Sequence, residues 1–137
     1  MKPLTHVALL AERAVTAKLK GADWAVGHGA AWLQKAYNGI GPEYLGGLMR
    51  EKITEILALF EPAALIHDAR NQVSDGTRAG FEAANEEFYY NCVTLAERAY
   101  PWYSWRRYRA RAVAWTMYEF VNGIPGYIAW MEAAERR

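Results

Sequence analysis

The chain has 137 residues, a usual length for one domain and enough to bury a hydrophobic core. Apolar residues make up 53% of it and aromatic residues 14%, a composition that excludes a disordered tail and a coiled coil. The formal net charge of +1 provides no overall field that would attract nucleic acid or an anionic membrane, so such partners would have to be recognised by a local patch.

The first third of the chain has the apolar spacing of helices. One stripe at helical intervals consists of Leu4, Val7, Leu10, Ala14 and Leu19. It predicts an amphipathic first helix that ends at Gly21, because glycine readily adopts the conformation that terminates helices. A second helical segment is predicted over residues 22–36, with interruptions at Gly27 and Gly29.

A break follows in "YNGIGPEYLGG", residues 37–47. Gly39 and Gly41 permit positive φ, and Pro42 can open a helix but cannot continue one. The next predicted helix face consists of Leu45, Leu48, Met49, Ile53, Ile56, Leu57 and Phe60. Pro62 is expected to end that helix and to lie in the first turn of a short one that carries "AALIHDARNQ".

The composition of "SDGTR", residues 74–78, predicts a loop. The stripe after it consists of Phe81, Ala84, Asn85, Phe88, Cys92, Leu95 and Ala99. Asn85 therefore lies among residues that are expected to form the core.

The last third of the chain is also predicted to be helical. Pro101 starts a helix in which arginines alternate with Trp102, Trp105, Ala112, Trp115, Met117, Phe120 and Val121. The sequence "NGIPG", residues 122–126, breaks this helix, and a short helix over 127–135 ends the chain. No segment has a convincing strand pattern. The predicted fold class is therefore all-α, a compact bundle of about six or seven helices in a single domain, residues 1–137.

His67 is the only one of the three histidines that an acidic residue, Asp68, follows directly. The residues before it are apolar, so the imidazole is expected to be partly buried and to need a hydrogen-bond partner. Asn85, on the core stripe of the following helix, needs a partner as well. The side chains of His67 and Asn85 are natural hydrogen-bond partners on facing helices. A His-Asp pair can also be a polar pair at the end of a helix, without a role in a site.

Four motifs in this order resemble those of small prokaryotic and phage phospholipase A2-like proteins. They are "NGIGP" at 38–42, "AALIHD" at 63–68, "AANEEFYYNC" at 83–92 and "MYEFVNGIPGYIAW" at 117–130. That family carries an Asn-Gly-x-Gly-Pro turn, an Ile-His-Asp helix and an Ala-Asp-x-x-Phe-x-x-Asn helix. The resemblance covers residues 37–130, and residues 1–36 form the N-terminal helices outside it.

The resemblance implies Ca²⁺-dependent hydrolysis of a glycerophospholipid at its sn-2 ester. His67 would be the general base that takes a proton from the attacking water. Asp68 would bind calcium together with backbone carbonyls of the turn, at Tyr37, Gly39 and Gly41. The ion would polarise the ester carbonyl and stabilise the oxyanion.

The resemblance places Asn85 at the position that orients the histidine, where the family usually has Asp. Asn71 likewise stands where the family has an aromatic residue, and Glu86 is an uncertain substitute because it points about 100° around the helix. These departures motivate an alternative function, a catalytically weakened relative that serves as a structural or interaction subunit of a phage or bacterial assembly. The sequence does not decide between this alternative and an active enzyme.

The chain has few residues that could support another kind of catalytic or metal site. Ser74 lies in a turn and Ser104 in an aromatic stretch, which gives a Ser-His-acid triad few candidates. His6 and His28 lack ligand-like spacing for zinc. Cys92 is the only cysteine, so no intramolecular disulfide is possible, and its place on a core stripe favours packing over nucleophilic attack.

The start of the chain lacks the apolar run of a signal peptide, and no stretch of 18 residues is free of charge. The expected location is therefore the cytoplasm when the protein is made, or a virion, without a transmembrane segment. The lone cysteine favours a reducing or assembly-protected setting.

The sequence "WYSWRRYRAR", residues 102–111, interleaves aromatic residues with Arg106, Arg107, Arg109 and Arg111. Such a pattern suits contact with lipid headgroups or nucleic acid, and also with an acidic protein neighbour. The favoured interpretation is a core helix with solvated arginines, because Trp105, Ala112 and Trp115 share one stripe. A phospholipid or membrane surface and the subunits of an assembly remain candidate partners, whereas the near-zero net charge predicts no nucleic-acid partner.

Overall fold

The computed structural model describes residues 2–39 and 54–137, and seven helices make up these two ranges without a strand. The helices are α1 (Leu4–Thr16), α2 (Ala22–Val26), α3 (Ala30–Ala36), α4 (Thr54–Gln72), α5 (Arg78–Ala99), α6 (Trp105–Val121) and α7 (Ile124–Glu135). The predicted all-α class with six or seven helices is confirmed. Gly41, Pro42 and the first four residues of the face predicted after the turn lie outside the described residues. No described helix has both the length and the apolar character needed to cross a membrane.

The N-terminal helices pack on α4 through the apolar stripe of α1. Val7, Leu10 and Ala14 are fully buried, as the spacing predicts. α1 ends at Thr16, however, and not at Gly21, because Lys18 adopts a left-handed conformation with φ of 55° and turns the chain early. The predicted interruption of the next segment is confirmed, since residues 27–29 separate α2 from α3.

α4 continues through Pro62, so the prediction that this residue ends one helix and begins another is wrong. A proline inside a helix loses one backbone hydrogen bond and costs about 3 kcal/mol. Here the residues on both sides of it are in the core, and Phe60, Ala63 and Ile66 are all buried. Their packing outweighs the local cost. His67 and Asp68 therefore lie in the C-terminal third of a long helix.

α5 is the central helix and contacts both α4 and α6. An ion pair ties it to α4, because Arg70 donates two hydrogen bonds of 3.0 Å to the carboxylate of Glu87. Asn91 ties it to the turn after α1, since its side chain accepts from the Lys20 N–H at 2.8 Å and donates to the Lys20 carbonyl at 2.9 Å. The first contact holds α5 against α4, and the second holds it against the N-terminal part of the chain.

The core face of α6 is not the predicted one. Trp105 is 63% exposed and Trp115 is 49% exposed, and Ala112 is exposed as well. The buried residues are Ala110, Val113, Ala114, Met117 and Val121. Two alanines with no exposed surface lie in this face, where small side chains allow close approach of helices and a tryptophan would not fit.

The ends of α6 differ slightly from the prediction. The helix begins at Trp105, several residues after Pro101, and the hydroxyl of Ser104 accepts a hydrogen bond of 3.2 Å from the Arg106 N–H. The break at residues 122–126 is confirmed in position but is shorter, since α7 already begins at Ile124. Gly126 packs so closely on the preceding helix that a Cβ there would collide with the Val121 carbonyl.

Candidate active site

His67 and Asp68 project from α4 into the interior, and each is only 8% exposed. The Nε2 of His67 lies 2.8 Å from Oδ1 of Asn85 on α5, so the structure brings together the two side chains that the sequence predicted as partners. The ring of Phe88, three residues further along α5, packs on the imidazole with 4.8 Å between centroids. Sequence-distant groups thus fix the imidazole from one side with a hydrogen bond and from another with an aromatic ring.

A second hydrogen bond links Asn85 to Asn122, on the side of Asn85 that faces away from His67. Asn85 Nδ2 donates to Oδ1 of Asn122 at 3.0 Å, which leaves the Asn85 oxygen facing the imidazole. An amide oxygen can only accept, so the facing Nε2 carries the hydrogen and Nδ1 carries the lone pair. With the Asn85 amide in this orientation the imidazole is the Nε2–H tautomer, and Nδ1 is the nitrogen that can act as a base.

Asn122 was not among the residues that the sequence predicted for the site. It lies in "NGIPG", a turn-forming sequence in which asparagine is common without any role in a site. Only the folded arrangement of α5 and α6 shows that its side chain points at Asn85. A polar residue at a helix end next to an apolar stripe is at most a weak signal.

The other ring nitrogen, Nδ1, has one polar neighbour. The Nδ2 of Asn71, one turn later on α4, lies 3.5 Å from it, a distance at which a hydrogen bond is weak. Asn71 occupies the position where the resembled family has an aromatic residue. Its amide leaves the proton-accepting side of the imidazole only loosely engaged.

The pKa of His67 is lowered, chiefly because burial penalises the charged imidazolium. The hydrogen bond with Asn85 and the charge of Glu87 act in the opposite direction but are smaller. His67 is therefore neutral at neutral pH, which is the protonation state that a general base requires.

Asp68 meets the predicted turn through backbone N–H groups. Its Oδ2 accepts hydrogen bonds from the N–H of Asn38 at 2.8 Å and of Gly39 at 3.1 Å. Gly39 has a φ of 81°, a conformation that glycine adopts without strain, and the side chain of Tyr37 beside it is buried. Burial raises the pKa of Asp68 to about 7, although the two backbone hydrogen bonds lower it.

Of the calcium ligands that the resemblance implies, Asp68, Tyr37 and Gly39 lie within the described residues. Calcium takes six to eight oxygen ligands. No group of three or more His, Cys, Asp or Glu side chains among residues 2–39 and 54–137 could hold a metal ion. Asp68 contacts the turn through the N–H groups of Asn38 and Gly39, and the backbone carbonyls implied as ligands are those of Tyr37, Gly39 and Gly41. Gly41 lies outside the described residues.

A groove of about 480 Å³ opens beside His67, Asp68 and Asn85. Its wall is mostly apolar and includes Ala36, Phe81, Phe120, Val121, Pro125 and Ala129. Polar groups gather at the His67 end, and Arg136 adds a positive charge to the lining. The volume and the few convergent polar groups are typical of a small-molecule site.

Other candidates from the sequence have structural roles. Glu86 is exposed and has no place near His67. The Ser74 hydroxyl is buried and donates to the Trp130 carbonyl at 2.7 Å, while Ser104 caps α6. Cys92 has no exposed surface, and burial raises its pKa well above the ordinary value, as suits a packed side chain.

A second surface lies at the start of α6. We call Trp102, Tyr103, Trp105, Tyr108, Arg106, Arg109 and Arg111 the aromatic–arginine surface. Trp102 is 73% exposed, and the guanidinium groups of Arg106 and Arg109 lie 6.0 and 5.8 Å from the Trp105 ring. Five arginines and no acidic residue occur from Arg98 to Tyr118. This concentration of rings and positive charge is solvent-facing, contrary to the predicted core helix.

Comparison of the chain with protein-family models, with curated protein sequences and with solved structures finds no match. The phospholipase A2 resemblance therefore depends on the four motifs alone. What can be argued about function comes from the geometry around His67.

Proposed function

We propose that the protein hydrolyses a fatty-acyl ester of a glycerophospholipid, with His67 as the general base. The observation that carries this proposal is the chain of hydrogen bonds from Asn122 through Asn85 to His67 beside an apolar groove. It supplies a neutral, buried imidazole with a defined tautomer at the end of a space suited to an acyl chain. The order of motifs in the sequence supports the same reaction.

In this reaction a water molecule donates a proton to His67 Nδ1 while its oxygen attacks the ester carbonyl. The Nε2–H stays hydrogen-bonded to Asn85 Oδ1 throughout. The imidazolium then returns the proton to the departing glycerol oxygen as the carbon–oxygen bond breaks. The products are a fatty acid and a lysophospholipid, and the base is restored.

Asn85 makes this base weaker than an aspartate would. A carboxylate stabilises the imidazolium, whereas a neutral amide only accepts its hydrogen bond. The burial of His67 adds to the cost of protonation. Slow hydrolysis is therefore expected, with a rate that rises with pH below the ordinary histidine pKa of 6.5, where His67 loses its proton, and levels off near neutral pH.

The groove supports an amphiphilic substrate. Phe81, Phe120 and Val121 offer apolar contacts along its wall for an acyl chain, and Arg136 offers a positive charge for a phosphate. The reaction is written with the described residues alone, and calcium held by Asp68 and the turn would add polarisation of the ester carbonyl.

The direct test is fatty-acid release by the purified protein from mixed vesicles of anionic and zwitterionic phospholipid. Release should be measured with added calcium and with a chelator, over a range of pH. Release that increases with pH supports a histidine base. Absence of release under every condition, from a protein with a helical circular-dichroism spectrum, would contradict the proposal.

The aromatic–arginine surface supports a phospholipid bilayer as the physical form of the substrate. Trp and Tyr favour the membrane interface, and arginine pairs with phosphate. Exposed aromatic side chains continue along α6 with Trp115 and Phe120, and Phe120 lines the groove. A bilayer lying along α6 would therefore contact both the aromatic–arginine surface and the mouth of the groove.

We predict that replacing both Trp102 and Trp105 by Ala weakens binding to anionic vesicles by about ten-fold or more, because burial of a large aromatic ring contributes a few kcal/mol. Vesicle sedimentation measures this. Tyr90→Ala is the matched control, since Tyr90 is also an exposed aromatic residue but lies on α5. Equal binding by wild type and the double variant would contradict the prediction.

The same surface also favours the second candidate, a weakened relative that serves as an interaction subunit of a phage or bacterial assembly. Trp, Tyr and Arg are the residues that dominate protein–protein hot spots. Protein that neither binds vesicles nor releases fatty acid, but whose assembly into a particle depends on Trp102 and Trp105, would favour this function over hydrolysis.

A further inference from the structure

Asn122 follows the last residue of α6 and reaches the imidazole only through Asn85. Its Oδ1 accepts the Asn85 amide hydrogen at 3.0 Å, and Asn85 Oδ1 lies 2.8 Å from His67 Nε2. Asn85 is almost fully buried, so each end of its amide must find a partner inside the protein. The partner at one end of the Asn85 amide therefore affects which amide atom faces His67 at the other end.

An asparagine amide has a donor end and an acceptor end of nearly the same shape. Rotation of the Asn85 amide by half a turn would place Nδ2 against His67 Nε2. The ring would then have to accept at Nε2 and carry its hydrogen on Nδ1. Either orientation gives His67 one good hydrogen bond, so the tautomer depends on which amide atom Asn122 presents to Asn85. In the structure that atom is Oδ1, which can only accept.

We propose that Asn122 is a positioning residue that holds the Asn85 oxygen toward His67 and thereby keeps the imidazole in the Nε2–H tautomer. The lone pair then stays on Nδ1. The consequence for catalysis rests on the proposed hydrolysis, in which Nδ1 accepts the proton of water. The control of the tautomer itself does not depend on any reaction. Asn71, 3.5 Å from Nδ1, is too distant to set it alone.

The test is ¹⁵N NMR of the His67 ring in wild type and in Asn122→Ala, at a pH where the ring is neutral. Truncation leaves the Asn85 amide without its acceptor, and the ratio of the Nε2–H to the Nδ1–H tautomer should fall by about five-fold, as expected for loss of one neutral hydrogen bond. Asn122→Gly is a second truncation that suits a helix end.

Asn122→Asp separates positioning from general loss of structure. A carboxylate can only accept, so this variant should keep the wild-type tautomer and rescue the effect of truncation. Asn91→Ala is the matched control, because Asn91 is a buried asparagine on α5 with two hydrogen bonds, both to Lys20. It should lower stability without changing the tautomer of His67.

Wild-type ring-nitrogen signals in both truncation variants would overturn the inference, and so would an equal change in Asn91→Ala. The tautomer is measured without substrate, which separates the two proposals. A shifted tautomer in a protein that releases no fatty acid would support the role of Asn122 and contradict hydrolysis. An unchanged tautomer in an active enzyme would contradict the role of Asn122 alone.

Discussion

His67→Gln is expected to reduce fatty-acid release by between about 10² and 10⁴-fold, the usual contribution of a general base. Glutamine can still donate a hydrogen bond to Asn85 Oδ1, so the packing of α4 on α5 should survive. It has no nitrogen lone pair that accepts a proton at neutral pH. The measurement is the initial rate of release from anionic vesicles, with vesicle binding followed in parallel.

His28→Gln is the matched control for this prediction. His28 is exposed and stacks on Trp32 with 4.1 Å between ring centroids, in the N-terminal part of the chain. Its replacement should leave the rate within about two-fold of wild type, as for an ordinary surface change. If wild type releases fatty acid and His67→Gln releases it at the same rate, His67 is excluded as the base.

Asp68→Asn is expected to raise the free energy of unfolding at pH 8 by up to about 4 kcal/mol, the value of a shift of roughly three pKa units. The pKa of Asp68 rises from an ordinary value of 3.8 to about 7 in the folded protein. The folded state therefore binds this proton more tightly than the unfolded state does. Wild type should lose the corresponding stability as the pH rises from about 4 to about 7.

Asparagine carries no charge, and its Oδ1 can accept the same two N–H groups of Asn38 and Gly39. The difference between the variant and wild type should therefore be small near pH 4 and should grow as the pH rises. Urea denaturation at several pH values measures it. Glu86→Gln, which changes an exposed carboxylate on α5, should show no comparable trend.

If Asp68 binds calcium, added calcium should change the relative stability of wild type and Asp68→Asn. Added calcium would then stabilise wild type, by linkage, and would have no such effect on Asp68→Asn. Stabilisation of this kind would support the calcium site that the resemblance implies.

The all-α class could be predicted from the sequence because apolar periodicity extends along most of the chain. The partnership of His67 and Asn85 could also be predicted, since both are polar residues placed among core positions of successive helices. Periodicity identifies which residues share a face. The assignment of residues to a helix face does not depend on the exact helix ends, and several of the ends differ from the prediction.

The errors have physical reasons. The tryptophans of α6 share a stripe, but a pattern of this kind does not show which of two stripes faces the core. Here the close packing of α5 on α6 required alanines, and the large rings were left outside. Pro62 was expected to end a helix because its local cost was weighed without the packing that offsets it.

Two features of the site were not predictable for a different reason. The resemblance implies that Asp68 and the carbonyls of the turn bind one calcium ion. Whether the turn presents N–H groups or carbonyls to Asp68 depends on backbone torsions that only the folded chain defines. The contact of Asn122 with Asn85 joins residues 37 positions apart. Neither residue type nor spacing encodes such a contact.

Positive charge is concentrated along the chain around the start of α6. Five positive charges and no negative charge lie between Arg98 and Tyr118, whereas the whole chain has a net charge of only +1, so the remaining residues are net negative. An anionic surface would attract the aromatic–arginine surface more strongly than the rest of the molecule, and so exert a torque on it. At physiological salt this torque acts only within about 8 Å of the surface. The protein would therefore approach in any orientation and turn its α6 end inward just before contact.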